Sequence, residues 1–151
     1  MKTLVVGDLH LKQQFVLPRI DGMLAGDAEI GRIVFLGDAC DDWGANEADE
    51  LNAMEFYAKW VREHRGRGMR IDVLLGNHDF CYVRGKRGPG SIMSIMRNLR
   101  TILEDALQAK VACAVGPYLC SHAGVTGVWA KRFLADVPAD AVAIAQRLNE
   151  M

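Results

Sequence analysis

The sequence predicts a single α/β domain with a largely parallel sheet, on three observations. Four short apolar runs, "TLVVG", "RIVFLG", "IDVLLG" and "YLCS", end at Gly or Ser, and runs apolar along their whole length mark strands buried on both faces. Longer segments with helical spacing separate them, and strands that alternate with helices fold as parallel units. The 151 residues, half of them apolar, are enough for one ordinary core, and no repeat, low-complexity tract or linker divides them.

The first strand, "TLVVG", opens the chain and "RIVFLG" is the second. The clearest helix starts after Asn46, a good N-cap, with Glu47, Asp49 and Glu50 in the first turn where negative charge meets the helix dipole, and runs to about His64. Leu51, Met54, Ala58 and Val61 form its core stripe; Phe56 and Trp60 lie on roughly the opposite face, more apolar surface than one sheet covers. "IDVLLG" is the third strand. A second helix is expected from Ser91 to about Ala109, with Ile92, Ile95, Met96, Leu99, Ile102, Leu103 and Leu107 inward. "KVACAVGPYLCS" reads as two strands turning at Gly116-Pro117, an antiparallel pair at one side of the sheet. The remainder suggests two short helices separated by Pro138.

Composition narrows the partners. A net charge of −1 supplies no long-range attraction for nucleic acid or an anionic membrane. Cys40, Cys81, Cys113 and Cys120 show no CxxC spacing, which argues against a disulfide framework or a thiolate zinc site. The opening apolar run meets Asp8 too soon for a secretory segment and no stretch approaches a membrane span, so the expectation is a soluble, cytoplasmic protein.

Each predicted strand ends in residues able to bind metal or move protons: "GDLH" (Asp8, His10), "GDACDD" (Asp38, Asp41, Asp42), "GNHD" (Asn77, His78, Asp79) and "SHAG" (His122). Strand carboxyl ends of an open α/β sheet face one crevice, so these loops should meet. One such motif alone would be an ordinary turn, in which Asp and Asn bond nearby amides. Four together would crowd carboxylates and imidazoles without a compensating charge, a conflict that a bound cation resolves. The donor types suit Mn²⁺, Fe or Zn²⁺, and their number suits two ions about 3.5–4 Å apart. His64, at the basic helix end "REHRGRGMR", has a structural reading instead.

In this order the four motifs resemble the calcineurin-like metallophosphoesterases, from Gly7 to Gly124, and the "GDACDD" spacing leans toward the phosphoprotein phosphatase-like branch with its bacterial and phage members. The resemblance implies Asp8 and His10 on a first divalent ion, Asp38 bridging, and Asn77 and His122 on a second, with Mn²⁺ as the favoured ion and Fe, Zn²⁺ or Ni²⁺ as alternatives. It implies His78 as general acid oriented by Asp41, and leaves Asp79 outside the ligand set. The implied reaction is in-line attack on phosphorus by a metal-activated hydroxide while His78 protonates the leaving oxygen.

Two departures follow. The phosphatase branch often carries a phosphate-holding arginine after the aspartate matching Asp41, where this chain has Asp42; Arg84, Lys86 and Arg87 of "VRGKRGPG" are the substitute candidates. Family members also carry a later histidine motif and further strands, and no histidine follows His122. The expected architecture is therefore a metallophosphoesterase-type β-sandwich flanked by helices and lacking the C-terminal strands of its second sheet. Residues 1–151 would be one domain, incomplete at the C-terminus, with a short form completed as a homodimer, or a degenerate member with weak second-site binding, as the rivals. The expected activity is phosphomonoester hydrolysis on a small molecule or phosphoprotein. The alternatives are a phosphodiesterase or nucleotide hydrolase, and a non-catalytic scaffold of the same fold.

Overall fold

The computed structural model describes residues 1–151. Strands β1 (Lys2–Val6), β2 (Ile30–Phe35) and β3 (Arg70–Val73) form a parallel sheet in the order β1-β2-β3. Val6 lies opposite Phe35 and Phe35 opposite Val73, so the three strands end at nearly the same level. Ile33, Val34 and Phe35 are all buried, which explains the absence of alternation in β2: both of its faces are covered.

The face carrying Ile33, Phe35, Ile71 and Val73 packs under helices α1 (Gln13–Gly26) and α2 (Glu47–Gly66) and the segment 93–107. α2 starts as expected: the Asn46 side chain accepts from the Ala48 and Asp49 amides, while Asp49 reaches back to the Asn46 amide, closing a capping box. Its stripe is wider than expected, with Tyr57 and Trp60 buried beside Met54, Ala58 and Val61. Trp60, on the face beyond what one sheet covers, is buried by α1. Its indole N–H donates to Asp21 Oδ1 of α1 at 3.0 Å, its ring meets Phe35 edge-on, and His64 stacks on it at 3.8 Å. Phe56 is partly buried against the same core.

The helix expected over 91–109 is broken into a 3₁₀ turn (Met93–Ile95), α4 (Met96–Thr101) and a π-type turn (Ile102–Ala106). Ser91 bonds the Gly88 amide and carbonyl instead of capping the helix. The wide turn has a sequence cause. Ile95, Leu99, Leu103 and Leu107 are all buried, yet a spacing of four drifts about 40° per step around a 3.6-residue helix. An i→i+5 bond, Leu107 N–H to the Ile102 carbonyl at 2.8 Å, unwinds the end and helps keep the row inward.

The opposite sheet face carries Val34 and Leu74, and onto it folds the antiparallel pair β4 (Ala112–Val115) and β5 (Tyr118–Ser121) through Cys113, turning at Gly116-Pro117. The chain reaches β4 by pairing Lys110 with the exit of β3: Lys110 N–H donates to Val73 at 3.0 Å and Leu75 N–H to Lys110 at 2.9 Å. Buried Arg32 on the same face donates to Asp72 at 2.8 Å and to the Ala114 carbonyl at 2.7 Å, fastening the two sheets together. The ribbon stops short of β1, and there Val5 remains 47% exposed. The uncovered apolar residue therefore lies on the first strand, whereas the sequence placed the excess apolar surface on the α2 helix.

Short helices α5 (Gly127–Phe133) and α6 (Ala141–Glu150) flank Pro138, and α6 packs Ala145 and Leu148 against Ala112. All four cysteines are free thiols, and no helix is long and apolar enough to cross a membrane. Because Trp60 joins α1, α2 and the sheet, Trp60→Ala should cost about 3–5 kcal/mol, read as a lower urea midpoint with an unchanged slope.

Candidate metal centre

The loops after β1, β2, β3 and β5 converge at one edge of the molecule. The first rests on the second: Leu9 and His10 N–H both donate to the Asp38 carbonyl at 3.0 Å. The second and third touch backbone to backbone. Gly37 adopts φ +106°, and a Cβ there would lie 2.3 Å from Gly76 N; a Cβ on Gly76 would lie 2.0 Å from Asp38 Oδ1. Only glycine fits at either place. Asp79, expected to lie outside the ligand set, is fully buried and accepts from Ala39, Cys40 and Gly76 N–H at 3.0, 2.9 and 2.9 Å. Burial pushes its carboxyl upward in pKa, against these donors, which favour the charged form.

The motif expected as a loop, Asn77-His78-Asp79, is instead the first turn of helix α3 (Asn77–Arg84), with Gly76 at its N-cap. The turn residues that disguise the helix in the sequence are the ones its amino end needs.

Asp38 is the centre of the cluster. Its Oδ1 accepts from His78 N–H at 2.9 Å; its Oδ2 lies 3.3 Å from His122 Nε2 and 3.9 Å from His10 Nε2. Each of those imidazoles turns Nδ1 to a backbone carbonyl, His10 to Asp41 at 2.8 Å and His122 to Leu36 at 3.1 Å. A donor at Nδ1 leaves the Nε2 lone pair free, so both rings present a ligand atom toward Asp38. Asn77 Oδ1 is 3.1 Å from His122 Nε2, and Asp8 Oδ1 is 3.8 Å from its Nδ1. The ligand atoms of Asp8, His10 and Asp38 lie within 4.8 Å of one another, the reach of one cation.

Partial burial lowers the His10 pKa, but the Asp41 carbonyl and the Asp38 and Asp8 carboxylates outweigh it and hold it above its ordinary value. The field at this position is negative. The backbone is strained in the same place: of five non-glycine residues with positive φ, four are His10, Leu11, Asp38 and Asp41. The donor set of two carboxylates, two imidazoles and an amide, with fixed tautomers and unneutralised negative charge, fits divalent cations.

His78, directly after Asn77, has its Nδ1 2.9 Å from Asp41 Oδ2. Asp41 is buried, its other oxygen accepts from the Tyr82 hydroxyl, and its N–H donates to Glu50 Oε1 at 3.1 Å. Sequence reasoning missed Tyr82 and Glu50. Tyr82 follows His78 by four residues, a signal legible only once α3 is known to be a helix. Asp42 pairs with Lys12, so its charge is compensated and its pKa lowered, chiefly by that partner. Arg84, Lys86 and Arg87 are exposed, and the Arg84 guanidinium lies 5.6 Å over the Phe80 ring. Their loop borders the space beside His78 with Pro89 and Gly90 rather than with a cation. The basic helix end has a tying role: Arg65 donates to the Ile71 and Leu107 carbonyls at 2.9 Å.

Two outcomes are expected of this packing. Gly76→Ala should destabilise the fold by about 1–3 kcal/mol in urea, whereas Gly7→Ala, where a Cβ meets nothing, should leave the midpoint nearly unchanged. Glu50 behaves differently with pH. Burial first, and then the charges of Asp41 and Asp79, raise its carboxyl from 4.5 to about 7. The unfolded chain loses this proton near 4.5 and the folded one near 7, so the stability tied to the neutral carboxyl is complete at low pH and is lost as pH rises through that interval. Glu50→Gln, neutral throughout, should gain on the wild type by on the order of 1–2 kcal/mol between pH 5 and pH 8 in paired urea titrations.

Comparison with curated proteins and with solved structures returns no match. Comparison with protein families does: the calcineurin-like phosphoesterase model matches residues 1–147, nearly the whole chain and all four loops of the cluster. By that match the chain belongs to the calcineurin-like phosphoesterases, a family of metal-dependent phosphoester hydrolases.

Proposed function

We propose that this chain is a metal-dependent phosphomonoesterase, of the phosphoprotein phosphatase-like branch. In this reading Asp8 and His10 hold one divalent ion, Asn77 and His122 a second, and Asp38 is shared. The observation that carries it is the position of Asp38 Oδ2 between two imidazole Nε2 atoms, at 3.3 and 3.9 Å, whose opposite nitrogens are both engaged by carbonyls. Such outer bonds orient metal-ligating histidines. Mn²⁺ is the favoured ion, and bound there the ions would supply Lewis acidity at the phosphoryl oxygens and an acidified water as nucleophile.

The chain's own residues do the rest. Asp41 accepts a hydrogen bond from His78 Nδ1–H and, gripped by Tyr82, fixes the ring so that Nε2 is the atom that gives a proton to the leaving oxygen. His78 is part-exposed while Asp41 is buried, so the donor meets substrate and its partner does not. A pair of this kind is machinery for turnover, which weighs against a scaffold that has lost catalysis. The first position has two carboxylates and an imidazole, whereas the second shares one carboxylate and adds an amide and an imidazole. The two ions should therefore bind unequally.

The test is hydrolysis of p-nitrophenyl phosphate by purified protein with added Mn²⁺, beside bis(p-nitrophenyl) phosphate. The monoester should be preferred, chelation should remove the activity, and Asp38→Asn or His78→Asn should each lower kcat by at least about 100-fold. Calorimetry should resolve a tighter and a weaker Mn²⁺ site, with His122→Ala removing the weaker. Turnover indifferent to Asp38→Asn and His78→Asn would reject the mechanism. A preference for the diester would move the chain to the phosphodiesterases.

A further inference from the structure

Beside His78 lies a side chain that the proposed reaction does not use. His10, Asp41, His78, Trp43, Pro89 and Gly90 border a hollow of about 370 Å³, with the His10 and His78 rings edge-on at 5.1 Å in its wall. Trp43 is 95% exposed, more than any other large apolar side chain of the protein. An indole left in water forgoes the burial that normally stabilises it, and its whole face is open to stack on a flat ligand.

The turn that carries it is braced rather than loose. Trp43 N–H donates to Asp42 Oδ1 at 2.9 Å, Ala45 N–H donates to the Asp42 carbonyl at 3.2 Å, and Lys12 holds the Asp42 carboxylate from outside. A second hollow, of about 360 Å³, is lined by the same turn, so Trp43 borders both.

Chemistry decides what belongs beside it. His78 and Trp43 border the same hollow, so a leaving group whose oxygen takes a proton from His78 Nε2 has this hollow to occupy. No lysine or arginine borders that hollow, and its two carboxylates are engaged by His78 and Lys12. Grip on the leaving group is left to the flat apolar surfaces of Trp43 and Pro89.

We propose that Trp43 is a specificity-determining residue that stacks on an aromatic ring borne by the leaving oxygen, making aryl phosphomonoesters the substrate class. This rests on the phosphomonoesterase reading above. The ring could belong to a small aryl ester or to a phosphotyrosine side chain, which share this chemistry.

The experiment compares kcat/KM for phenyl phosphate, a short phosphotyrosine peptide and glycerol phosphate in Mn²⁺-loaded wild type, Trp43→Ala and Trp43→Phe. Binding of phenylphosphonate and methylphosphonate, which are not hydrolysed, is followed by tryptophan emission. Trp43→Ala should reduce the aryl-to-alkyl ratio by about tenfold, mainly through KM, and Trp43→Phe should restore most of it. Phenylphosphonate should quench the wild type and not Trp43→Ala. The better of the two aryl substrates identifies the source of the ring. A ratio that stays within about twofold in Trp43→Ala, with turnover still abolished by Asp38→Asn, overturns the stacking role alone. Absence of Mn²⁺-dependent turnover in the wild type overturns the reading beneath it.

Discussion

The contact between Gly37 and Gly76 is the constraint on which the site depends. Two strands of a parallel sheet end side by side, and their exit loops approach so closely that neither position admits a Cβ. That approach lets Asp79 reach across to the Ala39 and Cys40 amides and lets Asp38 accept from His78 N–H. With one oxygen of Asp38 so fixed, the other faces two imidazoles. Sheet register is thereby converted into the placement of a carboxylate, and a sheet is stiff enough to hold it there.

The local energetics favour the apparent purpose of the cluster over its own stability. Positive φ at His10, Leu11, Asp38 and Asp41 is a cost that the surrounding packing bears. Beneath them the core supplies the compensation. Leu17, Ile33, Met54, Leu99, Leu103 and Leu107 are fully buried in one cluster, and the α2 capping box and the Arg32–Asp72 pair anchor the elements that border the loops.

Much of the fold could be read from residues. β2, β3 and the β4–β5 hairpin were legible because apolar runs ending at glycine or serine have few other interpretations, and α2 because Asn46 and the acids after it announce a helix start. α1 was not delimited: it contains Pro18 and Gly22 and has no side-chain cap, so local propensity is silent and its packing decides. The π-type turn was hidden in a row of residues spaced by four, which a helical reading accepts without noticing the drift. At the site, the residue types and their order pointed to one crevice, and the loops do meet there. What no sequence pattern could supply was the tier behind them. Glu50 read as a first-turn acid favourable to the helix dipole, yet its carboxyl is buried beneath Asp41, and Tyr82 became visible only through the helix that carries it. What covers Trp60 was not legible, because periodicity on one helix cannot foresee the second helix that packs on it.

The dependence of Asp38 on its neighbours also bears on how the molecule acquires its site. Asp8, Asp38, His78 and His122 follow four different strands spread along the chain, and none of their mutual contacts is local in sequence. Parallel pairing of β1, β2 and β3 requires closing long loops before any contact repays them, so such pairings form slowly. A collapsed intermediate could hold α2 and its cap while possessing no trace of the cluster. The constellation is therefore a property of the finished tertiary fold and of no smaller piece of it, which makes an intact site a stricter report of complete folding than helix content.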